Sequence, residues 1–110
     1  MVKGYVYLLL EVDEKGSEKY KIGESKNDPE LRLKNLKTGN PNDLSVLKKY
    51  SSLNYKKIER WLHKKYASQK TLSKKEFFYL EDHQVISFID DCKKIDEVVG
   101  MLLELNPFYK

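Results

Sequence analysis

Apolar side chains come almost without interruption near the start of the chain. Residues 3–12, Lys-Gly-Tyr-Val-Tyr-Leu-Leu-Leu-Glu-Val, predict a strand buried on both faces. A polar turn containing glycine follows over 13–17. Over 18–24, Tyr20 and Ile22 alternate with charged neighbours, which predicts a second strand paired with the first as a hairpin. Asp28-Pro29-Glu30 is a helix start: Asp28 can cap free N–H groups, Pro29 suits the first helical position and Glu30 suits the positive end of the dipole. This helix turns Leu33 and Leu36 inward and ends at Thr38-Gly39-Asn40-Pro41.

Residues 43–51 alternate in part and predict a third strand. Over 55–67, Ile58, Trp61, Leu62 and Tyr66 form one stripe at helical spacing. A polar, basic loop over 68–75 leads to a short extended apolar segment, Glu76-Phe77-Phe78-Tyr79-Leu80. Asp82 can cap a helix with Val85, Ile86, Ile89 and Cys92 inside. Asp96 can cap a last helix carrying Val98, Val99, Met101, Leu102 and Leu105. The predicted order is β-β-α-β-α-(β)-α-α, an α+β class with a small sheet flanked by helices.

Length adds that the 110 residues form one domain with a single core. No apolar run approaches the ~20 residues of a membrane span, so no membrane is expected as a partner. One cysteine, Cys92, excludes an internal disulfide framework and a cysteine-based zinc site. With no secretory leader visible at the start, an intracellular location, cytoplasmic or nuclear, is expected.

The net charge of +4 is unevenly placed: −1 over residues 1–25, +10 over 26–75 and −5 over 76–110. The central excess suits a polyanion, although a lysine-rich solvated surface gives the same count. Arginine is more selective. Against 19 lysines stand only Arg32 and Arg60, so a position that keeps arginine points to a need for its planar fork.

Several familiar sites are missing. The five glycines are scattered and build no phosphate loop, His63 and His83 are too far apart for a helical metal pair, and no serine elbow is present. What remains is a set of polar side chains on predicted elements. Tyr5 and Tyr7 share a strand face, Gly23 closes the second strand, and Arg32 lies one turn into the first helix. Glu59 and His63 are one turn apart on the second helix. Each also has a structural explanation. A tyrosine on a sheet packs its ring, Arg32 can pair with Asp28, and Glu59 with His63 can be a surface contact.

In order, Tyr5-Val6-Tyr7, Tyr20-Lys21-Ile22-Gly23, Arg32-Leu33, Thr38-Gly39-Asn40-Pro41, Glu59-Arg60-Trp61-Leu62-His63 and Glu76-Phe77-Phe78 resemble the GIY-YIG endonuclease superfamily. The similarity is to its small phage- and virus-associated branch. It covers roughly residues 3–92. It departs at Tyr5 in place of glycine, at Lys21 in place of tyrosine, and at Leu36, where many members carry histidine or tyrosine.

The resemblance implies a three-stranded antiparallel sheet with helices around it. A nuclease-like domain would span 1–94, and a helical extension over 95–110 would pack on that domain or on a partner. It also implies hydrolysis of a nucleic acid phosphodiester, with DNA as the expected partner and Mg²⁺ or Mn²⁺ as cofactor. By similarity, Tyr7 takes a proton from the attacking water and Lys21 lends positive field. Arg32 holds a phosphate oxygen through its fork, Glu59 holds the metal, and His63 contacts phosphate or donates a proton. Tyr5, Tyr20, Gly23, Lys26, Lys34 and Lys64 are then expected along the nucleic acid, and Tyr5, Tyr20 and His63 are candidates for a second proton carrier. The alternative function is a catalytically degenerate nucleic-acid-binding module of the same fold, for which Leu36 speaks. A homodimer through the apolar last helix is a further expectation.

Overall fold

The structure is a computed structural model that describes residues 2–37, 41–72 and 76–109. Strand β1 (Gly4–Val12) and strand β2 (Glu18–Ser25) form the expected hairpin, with Tyr7 opposite Gly23 and Leu8 opposite Ile22. Helix α1 (Pro29–Lys37) follows. Asp28 caps it by accepting the Glu30 N–H on its carboxylate at 3.0 Å. The expected helix stop at Thr38-Gly39-Asn40 and the side chain of Leu36 lie outside the described residues. Strand β3 (Asp43–Ser52) returns along the other side of β1, with an irregularity in the pairing between Leu8 and Leu9.

Helix α2 (Tyr55–Lys65) buries Tyr55, Ile58 and Leu62, and Tyr66 continues the stripe just past its end. Next come a 3₁₀ turn (Ala67–Gln69), strand β4 (Phe77–Phe78), and helices α3 (Asp82–Ile86) and α4 (Phe88–Leu105).

The sheet has four strands in the order β3-β1-β2-β4, all antiparallel, so the three-strand expectation is corrected. The extra strand is the short apolar segment after Glu76. Phe78 is driven into the core, and that places the backbone where Phe77 and Phe78 pair with Lys21 and Tyr20. The break between the last two helices is also corrected. It falls at Ser87 rather than at Asp96, and α4 runs unbroken through residue 96. The cap of α3 is Glu81, reciprocated by Gln84, instead of Asp82. Asp96 faces inward, where hydrogen bonds hold it within the helix.

Strand alternation explains both cores. Val6, Leu8, Tyr20 and Ile22 point to one face and pack with Ile58, Leu62, Phe78, Phe88 and Cys92. Tyr7 and Leu9 point to the other, where Leu44 and Leu33 of α1 cover them. β1 is therefore buried on both faces, as its apolar run predicts. Among the described residues, no helix is long and apolar enough to cross a membrane.

Candidate functional site

The hairpin register puts the Tyr7 phenol across Gly23. A Cβ built on Gly23 would overlap the Tyr7 hydroxyl and lie 2.5 Å from Cζ. Glycine here makes room for a ring that crosses from β1 over β2 towards the outer edge of β2. Lys21 sits two residues earlier on the same face, and its ammonium is 3.5 Å from the Glu76 carboxylate. Glu76 also accepts the Ile22 N–H through its backbone carbonyl at 3.2 Å.

From the opposite face, α2 reaches the same edge. The Ile22 carbonyl lies 2.8 Å from His63 Nε2. A carbonyl can only accept, so Nε2 carries a proton and donates it there. The ring meets Phe78 edge-on at 5.0 Å. Glu59, one turn back, approaches the same imidazole at 3.8 Å, too long for a hydrogen bond. Its side chain is only 15 % exposed. Burial pushes the Glu59 carboxyl up from the ordinary range. The nearby Glu76 and Glu24 add to this, while His63 and Arg60 oppose it.

Glu59 also lines a hollow of about 360 Å³ with Glu24, Lys56 and Arg60. Arg32 is exposed on α1 and lines a neighbouring hollow of about 350 Å³ with Ser25, Asn27, Leu31 and Asn35. The Asp28 carboxylate, its expected sequence neighbour, is taken by Lys49 at 2.9 Å.

Tyr7, Lys21 and Gly23 thus share one face of the sheet, Glu59 and His63 approach the Ile22 backbone from the other, and Arg32 lines a separate hollow beside the end of β2. Tyr5 is half-buried on the Tyr7 face, opposite Ser25. Tyr20 is on the other face, buried in the main core, where its hydroxyl donates to Glu18 at 3.1 Å. Burial and that carboxylate push the Tyr20 phenol up. Lys26, Lys34 and Lys64 are exposed, after β2, on α1 and on α2 respectively.

Sequence reasoning passed over Glu24, Lys56 and the pairing of Glu76 with Lys21. Glu24 could have been found from strand alternation, since it shares a face with Ile22, and Lys56 from its four-residue spacing to Arg60.

The donor set suits one hard cation. Glu59 brings a carboxylate into a spot where Glu24 and Glu76 add negative potential. Among the described residues, no three histidine, cysteine, aspartate or glutamate side chains cluster as metal ligands. A single carboxylate of this kind can serve an ion such as Mg²⁺, which takes one or two carboxylates and fills its other positions with water and phosphate oxygens.

Comparison with known proteins agrees with a small nuclease-like fold. No curated protein and no solved structure matches the chain significantly. The T5orf172 domain matches residues 4–93, from the start of β1 into α4. The chain therefore belongs to the T5orf172 domain family, a phage-associated domain related to nuclease-like folds.

Proposed function

We propose that the protein is a divalent-metal-dependent endonuclease of GIY-YIG type that hydrolyses nucleic acid, with DNA as the favoured substrate. The observation that supports this reading is the arrangement about β2: Tyr7 lies across Gly23 with Lys21 on one face, Glu59 and His63 approach Ile22 from the other, and Arg32 lines a hollow beside the end of the strand.

Hydrolysis forms a bond from water oxygen to phosphorus and breaks the bond from phosphorus to the leaving oxygen, which takes up a proton from solvent water. The Tyr7 oxygen, held over Gly23, accepts the water proton. Lys21 lies two residues before Gly23 on the same face, where its ammonium can contact a phosphate oxygen. Arg32 binds a non-bridging phosphate oxygen through its fork, where charge grows in the transition state. Glu59 would hold Mg²⁺ or Mn²⁺, which supplies charge relief at the phosphate when bound. His63 fixes α2 against β2 through Ile22 and so sets the place of Glu59.

Nicking of supercoiled plasmid tests the proposal. The parent should cleave with Mg²⁺ or Mn²⁺ and not with EDTA, and Glu59→Ala should lose at least 100-fold, on the order expected for a metal or electrostatic ligand. Arg32→Lys should lose most activity too, because the charge survives and the fork does not. A parent inactive with every divalent metal and substrate tried would sink the enzyme reading.

A second reading, a non-catalytic nucleic-acid-binding module, is favoured by one feature. The Nε2 proton of His63 is committed to a backbone carbonyl instead of facing a substrate. In that case Glu59→Ala keeps or raises affinity for DNA, and binding weakens steeply with salt.

A further inference from the structure

The solvent face of α2 carries Lys56, Arg60 and Lys64, each four residues after the last. Successive members are therefore one turn apart, about 6 Å along the axis. The row lies opposite the buried stripe of Tyr55, Ile58 and Leu62, so it is held in place by the core and points outward. Lys56 and Arg60 line the hollow together with Glu59 of the same helix and Glu24 of β2.

Three lysines elsewhere are ion-paired: Lys21 with Glu76, Lys49 with Asp28 and Glu30, and Lys65 with Asp91. Among the described residues, Lys56, Arg60 and Lys64 make no ion pair, and Lys56 lies 5.9 Å from the Tyr55 ring centre. An evenly spaced row of exposed cations without an ion pair on a rigid helix matches a chain of phosphates better than it matches a compact anion.

We propose that this face of α2 is a backbone-binding ridge, on which Lys56 and Arg60 hold nucleic acid phosphates flanking the one handled at Glu59. The inference rests on nucleic acid being the substrate. It adds residues that grip the strand beside the reacting phosphate. Arg60, the second of only two arginines, presents a two-pronged donor there.

Binding of a labelled DNA duplex, measured by fluorescence anisotropy in EDTA between 50 and 200 mM salt, tests it. The Glu59→Gln protein is used so that the duplex stays intact. The paired change Lys56→Gln with Arg60→Gln should lower the slope of log affinity against log salt by about 2, since each lost phosphate contact is worth about 0.9. Lys93→Gln with Lys94→Gln on α4 removes equal charge and should leave the slope unchanged. Far-UV circular dichroism checks that both variants fold.

Equal loss in the two variants, no change in the α2 variant, or no binding by the Glu59→Gln protein each overturns the ridge. Failure of the nuclease reading looks different: the parent then cuts no plasmid with metal, while the α2 change still lowers the slope.

Discussion

The Tyr7 ring lies across Gly23 because the hairpin register sets them opposite each other and glycine offers no Cβ to push the phenol away. Gly23→Ala should therefore displace the phenol. Overpacking of this kind costs about 1–3 kcal/mol. Urea unfolding should show that loss, and plasmid nicking should fall by far more than the stability change explains. A second residue-scale expectation concerns Cys92, which is fully buried. Burial, with Asp91 and Asp96 near it, pushes its thiol up to about 12. A thiol-disulfide reagent at pH 8 should leave the native protein unlabelled and react with one equivalent on unfolding in urea. At this scale the candidate residues Tyr7, Lys21, Arg32 and Glu59 stand out in the chain by their elements and motifs. Glu24 and Lys56 did not stand out, because a charged residue on a surface strand or helix says nothing until a neighbour is known.

Between elements, two carboxylates fasten α4 to the rest. Asp91 accepts the hydroxyls of Tyr66 at 2.9 Å and Ser87 at 3.1 Å and pairs with Lys65 at 3.3 Å. Asp96 accepts Tyr50 at 2.7 Å, and Ser52 and Asn54 at 3.0 Å. Burial works against both charges, yet these donors hold both carboxyls below the ordinary aspartate range. The same contacts, after burial, push the Tyr50 phenol up to about 12.

Depressed folded-state values mean that the carboxylates stabilise the fold above the unfolded range, near pH 4, and that this is lost as pH falls through the folded values. The urea midpoint should drop on going from pH 7 to pH 3, and Asp96→Asn should flatten part of that drop. Asp96→Ala leaves three donors unpaired and should cost about 3 kcal/mol at pH 7. None of this was legible in the chain, where Asp96 reads as a helix cap. A cap and an inward-facing aspartate look alike until the partner strand is in place. The starts of α1 and α2 and the hairpin were legible, because their signals are local: Pro29 after Asp28, the Ile58/Leu62 stripe, and Gly in a polar turn.

Across the whole molecule, the shape is long, 48 × 28 × 23 Å, with a radius of gyration of 14.6 Å. That exceeds the ~13 Å of a compact chain of about this length. The match to the T5orf172 domain ends at residue 93, but α4 continues to Leu105 and buries Val99 in the fold. Removal of residues 95–110 should therefore lower the urea midpoint, as it deletes Asp96 and Val99 together. Farther along, Val98, Met101 and Leu105 are exposed on α4. The expected homodimer through this helix would bury them. Sedimentation across protein concentrations tests it: the mass should rise with concentration and Met101→Glu should hold the monomer. A mass that stays monomeric at high concentration removes that expectation.

The linear chain by itself determined the first three strands, the starts of α1 and α2 and most of the apolar interior, since these follow from local periodicity, capping and turn chemistry. Only the tertiary structure decided that the segment after Glu76 joins the sheet, the inward role of Asp96, and which charged groups share a hollow. Those depend on strand register and on helix packing across the sheet, where residues far apart in sequence meet and a shift of one residue would exchange the two faces.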